Sequence, residues 1–260
     1  MIELALIGIG TGSPDHLTAG AIDAIAAADL ILIPLKGADK ADLAGFRLQI
    51  CQRFATRPET RIESFPLPQR NPAIEDYLAR VSDWHDAIAT IWHQHIHNHL
   101  QQGGGKRVAL LIWGDPSLYD SSLRIAERVA QHLPMRLKVI AGITAIQALC
   151  ASHAIALNDL GQPVTITTAR RLRDGGWPAD SDTVVVMLDG GCAFDEIAPI
   201  DKADIRIWWG AYLGLAQEIL ISGRLSDVAA QIRQTRAEAR AANGWIMDIY
   251  LMRRSPRPPG

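Results

Sequence analysis

Apolar positions along this chain follow two patterns. One is the short continuous run: residues 4–7, 29–33, 108–112 and 137–140 are largely aliphatic and are bounded by glycine, proline or polar residues. Such runs, without strict polar alternation, mark strands buried on both faces of a parallel sheet. The other pattern is helical spacing, over residues 18–28, 74–100 and 121–132. In the long segment Tyr77, Val81, Trp84, Ile88, Ile91, His95 and His99 make one face, and Gly103-Gly104-Gly105 ends it. In the segment after it, Ile125 and Val129, with Leu133 just beyond, are core candidates. Pro34 is expected to stop the second strand, and a short strand is expected over 61–65. Phe65-Pro66-Leu67-Pro68-Gln69-Arg70 reads as a rigid loop presenting Arg70. Residues 145–153, rich in small side chains, form a helix suited to close packing. Alternation of strands and helices predicts an α/β domain with a mostly parallel sheet.

The second half changes character. Residues 154–162 are polar and punctuated by Asn158-Asp159 and Gly161-Gln162-Pro163, which places a domain boundary near Gly161. Strands are expected over 164–168, 183–188, 205–209, 218–221 and 244–251, and a charged amphipathic helix over 225–242. Residues 170–178 read as a basic loop carrying Arg170, Arg171 and Arg173. Short connections between several of these strands suggest a mixed sheet. The expected organisation is an α/β domain over 1–160, a mixed-sheet α/β domain over 161–252 and a disordered tail over 253–260.

Composition narrows the function classes. The 260 residues are 48% hydrophobic and 21% charged, with a net charge of -2, which leaves no electrostatic footprint for nucleic acid. Cys51, Cys150 and Cys192 are far apart, so neither a metal knuckle nor a disulfide framework is supported, which suits a reducing cytoplasm. No signal segment or membrane span is apparent. His93, His95, His97 and His99 alternate along the long helix, but no cysteine or carboxylate lies near in sequence, and no metal site is expected there.

Candidate chemistry gathers at strand ends. The run over 108–112 leads into Trp113-Gly114-Asp115-Pro116-Ser117-Leu118-Tyr119, and the run over 137–140 leads into Ala141-Gly142-Ile143-Thr144-Ala145. Ligands of open α/β sheets bind at the carboxyl ends of strands, so the two loops are expected to line one pocket. Gly114 lets the backbone approach a ligand, and Gly114→Val is expected to block that ligand while sparing the fold. The first loop, Gly8-Ile9-Gly10-Thr11-Gly12-Ser13-Pro14-Asp15, invites a dinucleotide reading. Ser13 replaces the third glycine, Pro14 sits where the phosphate-binding helix should open, and Pro34-Leu35-Lys36-Gly37 lacks the ribose-binding acid.

Taken together and in order, these stretches resemble the tetrapyrrole (corrin/porphyrin) methylases. The resemblance is carried by the first loop through His16-Leu17-Thr18, by Ala28-Asp29-Leu30-Ile31-Leu32, and by Gly114-Asp115-Pro116 with Tyr119. It continues through Gly142-Ile143-Thr144-Ala145 and through Gln217-Glu218-Ile219-Leu220 leading to Gly223-Arg224-Leu225. It implies the two-domain fold of the class III methyltransferases, S-adenosylmethionine as cofactor, a homodimer, and no nucleic-acid or membrane partner. Phe65 to Arg70, Val81-Ser82-Asp83-Trp84-His85, the Trp113 to Tyr119 stretch with Asp120-Ser121 and Gly210-Ala211-Tyr212-Leu213-Gly214 are most similar to members that methylate C1 of precorrin-5 and release acetate. Ser13, Trp113 and Met187-Leu188-Asp189 depart from the broader family.

Carried over residue by residue, the resemblance puts Thr11, Trp113, Gly114, Asp115, Leu118, Thr144, Ala145, Met187, Ala211, Tyr212 and Trp245 around the cofactor. Arg70, Arg124, Arg170, Arg171 and Arg173 are available for substrate carboxylates. The implied deacetylation needs a base for water and a donor for the carbonyl oxygen. His16, Asp115, Tyr119 and Arg70 are the candidates, and the sequence does not choose among them. A sister methylase acting on precorrin-4, a methylase of a macromolecule, a nicotinamide oxidoreductase and a non-catalytic module are the competing readings.

Overall fold

Alternate residues of single strands feed different cores in the computed structural model, which describes residues 1–35, 41–198 and 202–254. Leu4 and Leu6 of β1 (Ile2–Gly8), Leu30 and Leu32 of β2 (Leu30–Leu35) and Val108 and Leu110 of β4 (Arg107–Ile112) pack on one side. They meet Ile88, Trp92 and Ile96 of α3 (Tyr77–Gln101) and Ile125 and Val129 of α4 (Ser122–Ala130). Ala5, Ile7, Ile31, Ile33, Ala109 and Leu111 point the other way, onto Ala21 and Ile25 of α1 (Ala19–Ala27) and Ile50 and Cys51 of α2 (Ala41–Phe54). The period of two along a strand, with both faces covered, is why these segments read as unbroken apolar runs. With β3 (Arg61–Pro66) and β5 (Met135–Ile140), the sheet has the order β3-β2-β4-β1-β5, every pair parallel.

The second sheet is mixed. It orders β6 (Val164–Thr168), β7 (Thr183–Met187), β10 (Asp248–Arg254), β8 (Ile205–Ala211) and β9 (Ile219–Arg224), with β6 parallel to β7 and the remaining pairs antiparallel. Trp209, Tyr212, Tyr250 and Phe194 fill its core, alongside Leu225, Ala229 and Ile232 of α7 (Leu225–Asn243).

Several expectations are corrected. The chain divides into compact units at Thr144 and Ala145 rather than near Gly161. The reason is α5 (Ala145–Ser152), which belongs with the second sheet. Ser152 Oγ donates to Glu218 at 3.1 Å, His153 Nε2 lies 3.0 Å from the Trp209 carbonyl, and Leu149 abuts Gly210. Pro34 does not stop β2. It lies past Leu30–Leu32, the stretch registered with β4, where a missing N–H removes no rung on that side. Arg253 and Arg254 end β10 instead of starting a tail, and residues 255–260 lie outside the described residues. Residues 169–175 form a helix, α6 (Ala169–Gly175), not a loop: the Thr168 hydroxyl caps it, and Ala169 and Leu172 are buried one turn apart.

The buried face of α3 is also shifted from the expected stripe. His85, Ile88, Ala89, Trp92, Ile96 and His99 face inward, while Tyr77 is exposed and Trp84 and Ile91 lie at the margin. Both stripes are equally periodic and share Ile88 and His99, so only packing against β2 and β4 selects between them. Trp92 packs within the unit's own core. A carboxylate does reach the histidine series: Glu63 Oε2 of β3 lies 2.7 Å from His95 Nδ1.

Candidate active site

β1 and β4 are neighbours whose outgoing connections lead to helices on opposite faces of the sheet. That is the switch point at which open parallel sheets form a crevice. The two loops there are tied together. Ile9 N–H donates to the Ile112 carbonyl at 2.9 Å, Gly10 N–H to the Gly114 carbonyl at 3.3 Å, and Gly114 N–H back to Gly10 at 2.7 Å. Gly10 and Gly114 have φ of 70° and 69°, the left-handed region that disfavours a side chain. A Cβ on Gly114 would nevertheless meet nothing within 4 Å. The backbone strain corrects the expectation that Gly114→Val spares the fold, while the open side of its α-carbon remains suited to a closely approaching ligand.

The loop after β5 joins the same cluster, although β5 is not adjacent to β4. β1 lies between them, and the loops meet over its end. A Cβ on Gly8 would come within 2.6 Å of Gly142 N and 2.9 Å of the Gly114 carbonyl oxygen, and a Cβ on Gly142 would overlap that same oxygen. Asp115 locks this arrangement. Its Oδ2 accepts from Gly142 N–H at 2.8 Å, and its Oδ1 accepts from Ser117 N–H at 2.8 Å and from the Ser117 hydroxyl. Burial pushes the carboxyl up, but the bonds from the Ser117 hydroxyl, Gly142 N–H and Ser117 N–H outweigh it and hold the group below the usual range. An ionised carboxylate with both oxygens engaged is a clamp and a weak base.

Around the clamp, buried Thr11 places its hydroxyl 2.8 Å from His16 Nδ1. Trp113 packs 6.1 Å from Phe46, ring to ring, with the Arg47 guanidinium 5.8 Å from its centroid. Arg47, 7% exposed, donates Nε–H to the Leu111 carbonyl at 2.9 Å. Burial brings its pKa down to about 10. Sequence reading missed this residue, although it falls three after Ala44 and four before Cys51, on the buried face of α2. Leu118 and Thr144 are half-buried, and Tyr119, exposed, has φ of 48°. Arg124, exposed in the first turn of α4, donates to the Asp120 carbonyl at 3.1 Å. Arg70 lies over Trp84.

In the second unit Met187, Ala211, Tyr212 and Trp245 come together where β7 and β8 end beside the start of β10. Tyr212, at φ of 52°, donates its backbone N–H to Met247 at 3.0 Å and its hydroxyl to the Trp245 carbonyl at 2.5 Å. The residue is 1% exposed and its ring stands edge-on to Trp245 at 5.0 Å, so its side chain is core, and its backbone carbonyl accepts from Leu215 N–H at 2.9 Å. Met187 is half-buried and Ala145 opens α5. Beneath them runs a polar network absent from the sequence reading. Arg236 pairs with Asp248 at 2.9 Å, Trp209 Nε1–H donates to Asp248 at 2.9 Å, and the Tyr250 hydroxyl donates to Asp189 at 2.7 Å. Burial raises the Asp248 carboxyl in spite of its bond from Arg236. Arg170 and Arg171, with Asp174 and Gly175, line a depression of about 360 Å³ on α6, and Arg173 shares that helix.

Compared with known proteins, residues 3–229 match the Tetrapyrrole (Corrin/Porphyrin) Methylases. The chain belongs to that family. This tetrapyrrole methylase is 48% identical to a precorrin-6A synthase [deacetylating] of Sinorhizobium sp over 257 residues, covering 98% of this chain and 96% of the relative. A crystal structure of a cobalamin synthesis related protein (CobF) from Corynebacterium diphtheriae superposes with a TM-score of 0.80 at 36% identity, covering 98% of this chain and 99% of that one. Uroporphyrin-III C-methyltransferase from Thermus thermophilus, complexed with S-adenosyl homocysteine, shares the fold at a TM-score of 0.57 and 15% identity, covering 96% of each chain. Among the described residues of this methylase, no helix is long and apolar enough to cross a membrane.

Proposed function

We propose that this methylase is a precorrin-6A synthase (deacetylating), which uses S-adenosylmethionine to methylate C1 of precorrin-5 with loss of acetate. The observation that carries this reading is the 48% identity to a synthase of that name across 98% of the chain. Bound S-adenosylmethionine supplies the methyl group. Fit to that cofactor rests on the open side of Gly114 and on the glycine contacts that seat the loop. In the first unit Thr11, Trp113, Gly114 and Leu118 would hold it through backbone groups and apolar walls, as would Thr144 at the unit's last position. Ala145, Met187, Ala211, Tyr212 and Trp245 are the further residues that the family resemblance assigns to the cofactor.

The chain's own residues then orient the nucleophilic carbon and manage protons. Asp115 acts on this reading as the clamp that holds Gly114 in place. His16, steadied through Nδ1 by Thr11, and Tyr119 are the proposed base and donor for removing the acetyl group, and Arg70 stays in reserve as an anchor. Arg124 is the proposed anchor for a substrate carboxylate in the first unit, and Arg170, Arg171 and Arg173 are the basic residues that the family resemblance offers in the second. We also hold the protein to be a cytoplasmic homodimer, and a monomeric mass by light scattering at micromolar concentration would count against the dimer. The deciding experiment is the mass of the product made from precorrin-5 and S-adenosylmethionine. A product gaining one methyl and losing one acetyl group, with acetate released, is expected. Turnover of precorrin-4 instead would overturn the reading in favour of a sister methylase.

A further inference from the structure

Two stretches left aside by the cofactor meet on the first unit: the proline-rich loop after β3 and an early turn of α3. Trp84 Nε1–H donates to the Pro68 carbonyl at 2.7 Å, and the Arg70 guanidinium sits 4.8 Å from the centroid of the Trp84 ring. An aromatic face holds a guanidinium in place without neutralising it. Next to Trp84, with ring centroids 5.6 Å apart, is His85. It is 4% exposed, and its buried Nε2 has no hydrogen-bond partner among the described residues. A buried polar atom left in that state is destabilising.

The surroundings of His85 are strongly cationic. Burial first, then the charges of Arg128, Arg124 and Arg70, hold its imidazole below the usual range, with Asp86 opposing. Arg128 is already engaged, donating to Asp86 at 2.6 Å and to Ser82 at 3.1 Å. Arg70 and Arg124 have no such carboxylate among the described residues. A neutral imidazole can place a proton on Nε2 and act as a donor, and guanidinium groups match a carboxylate's two oxygens. Arg124 lies in the first turn of α4, the helix entered directly from the Gly114 loop, which places the cluster at the same end of the sheet.

We propose that Arg70, Arg124 and His85 form a carboxylate-binding subsite between α3 and α4 that takes one acidic side chain of the tetrapyrrole and so sets the orientation of the macrocycle. The proposal rests on the reading of the chain as a precorrin methylase. Its test is steady-state kinetics with precorrin-5 on Arg70→Gln, Arg70→Lys and His85→Asn. Arg70 is exposed, so its variants are expected to fold as wild type. Losing one charge-assisted contact should raise KM for precorrin-5 roughly tenfold or more. The value of kcat should stay within about twofold, and Arg70→Lys should recover part of the loss. Affinity for S-adenosylhomocysteine should not move. An unchanged KM in Arg70→Gln overturns the subsite, as does a fall in kcat alone.

If wild type does not turn over precorrin-5, the functional reading has failed, and the subsite is judged by a separate measurement. Tricarballylate is titrated into the ¹⁵N-histidine-labelled full chain, with the His85 resonance assigned by its absence in His85→Asn. A saturable shift of His85 that disappears in Arg70→Gln supports the subsite. No shift in wild type overturns it.

Discussion

Gly142→Ala is the sharpest test of how the crevice is built. The added methyl would overlap the Gly114 carbonyl oxygen and lie 2.8 Å from the backbone of Gly8, and neither neighbour is a flexible side chain that can rotate away. If the cluster holds its shape, overpacking costs about 1–3 kcal/mol. If the β5 loop moves to relieve the overlap, Gly142 N–H leaves Asp115, and a hydrogen bond to an ionised acceptor is worth about 1.5–3 kcal/mol. The chain takes the cheaper route, so the two costs are alternatives rather than a sum, and about 1–3 kcal/mol is expected. In a unit spanning Met1–Thr144 this lowers the melting temperature by roughly 3–12 °C.

Thermal unfolding by circular dichroism reads the stability, and calorimetry with S-adenosylhomocysteine reads the site. Affinity should fall at least about tenfold, because the displaced loop carries Gly114 with it. Gly175→Ala is the control. Its Cβ would meet nothing within 4 Å in the last position of α6, so it should be neutral or slightly stabilising. A Gly142→Ala protein that melts with wild type and binds S-adenosylhomocysteine as tightly would refute the close-packed glycine cluster as the constraint on the site.

Three further outcomes are expected. Asp115→Asn should cost about 1.5–3 kcal/mol at neutral pH, because the amide presents a donor toward N–H groups. The sign of its pH dependence follows from the depressed carboxyl: the stability it adds is complete above the unfolded value of about 3.9 and is lost as pH falls through the lower folded value. The gap between wild type and variant should therefore close only in acid, as pH-dependent melting curves would reveal, and a gap constant down to strong acid would contradict it. Arg236→Met leaves the buried Asp248 carboxylate without its partner and should destabilise by about 3–5 kcal/mol in urea titrations, whereas a change below about 1 kcal/mol would mean the pair is not buried as described. Gly114→Val, placed at φ of 69°, should cost about 1–3 kcal/mol in the absence of cofactor, and a wild-type melting temperature would show that the loop relaxes freely.

What the sequence determined by itself is local and periodic. The aliphatic runs became β1, β2 and β4 because a strand covered on both faces leaves no polar position to interrupt it. The order of the glycine-rich loop, Gly114-Asp115-Pro116 and Gly142 located the crevice loops, since ligand-facing turns must be made of residues that turn. Tertiary structure decided the rest. It chose between two equally periodic stripes on α3 and so buried His85 beside three arginines. It gave α5 to the second sheet and moved the boundary to Thr144. It put β1 between β4 and β5, so that Asp115 reaches Gly142 across the end of a strand and becomes a clamp. Arg47, His85 and the pair of Arg236 with Asp248 were illegible for one physical reason. A charged or polar residue on a buried face looks like any surface residue in one dimension, and only the segments that fold over it from elsewhere in the chain show that it is buried.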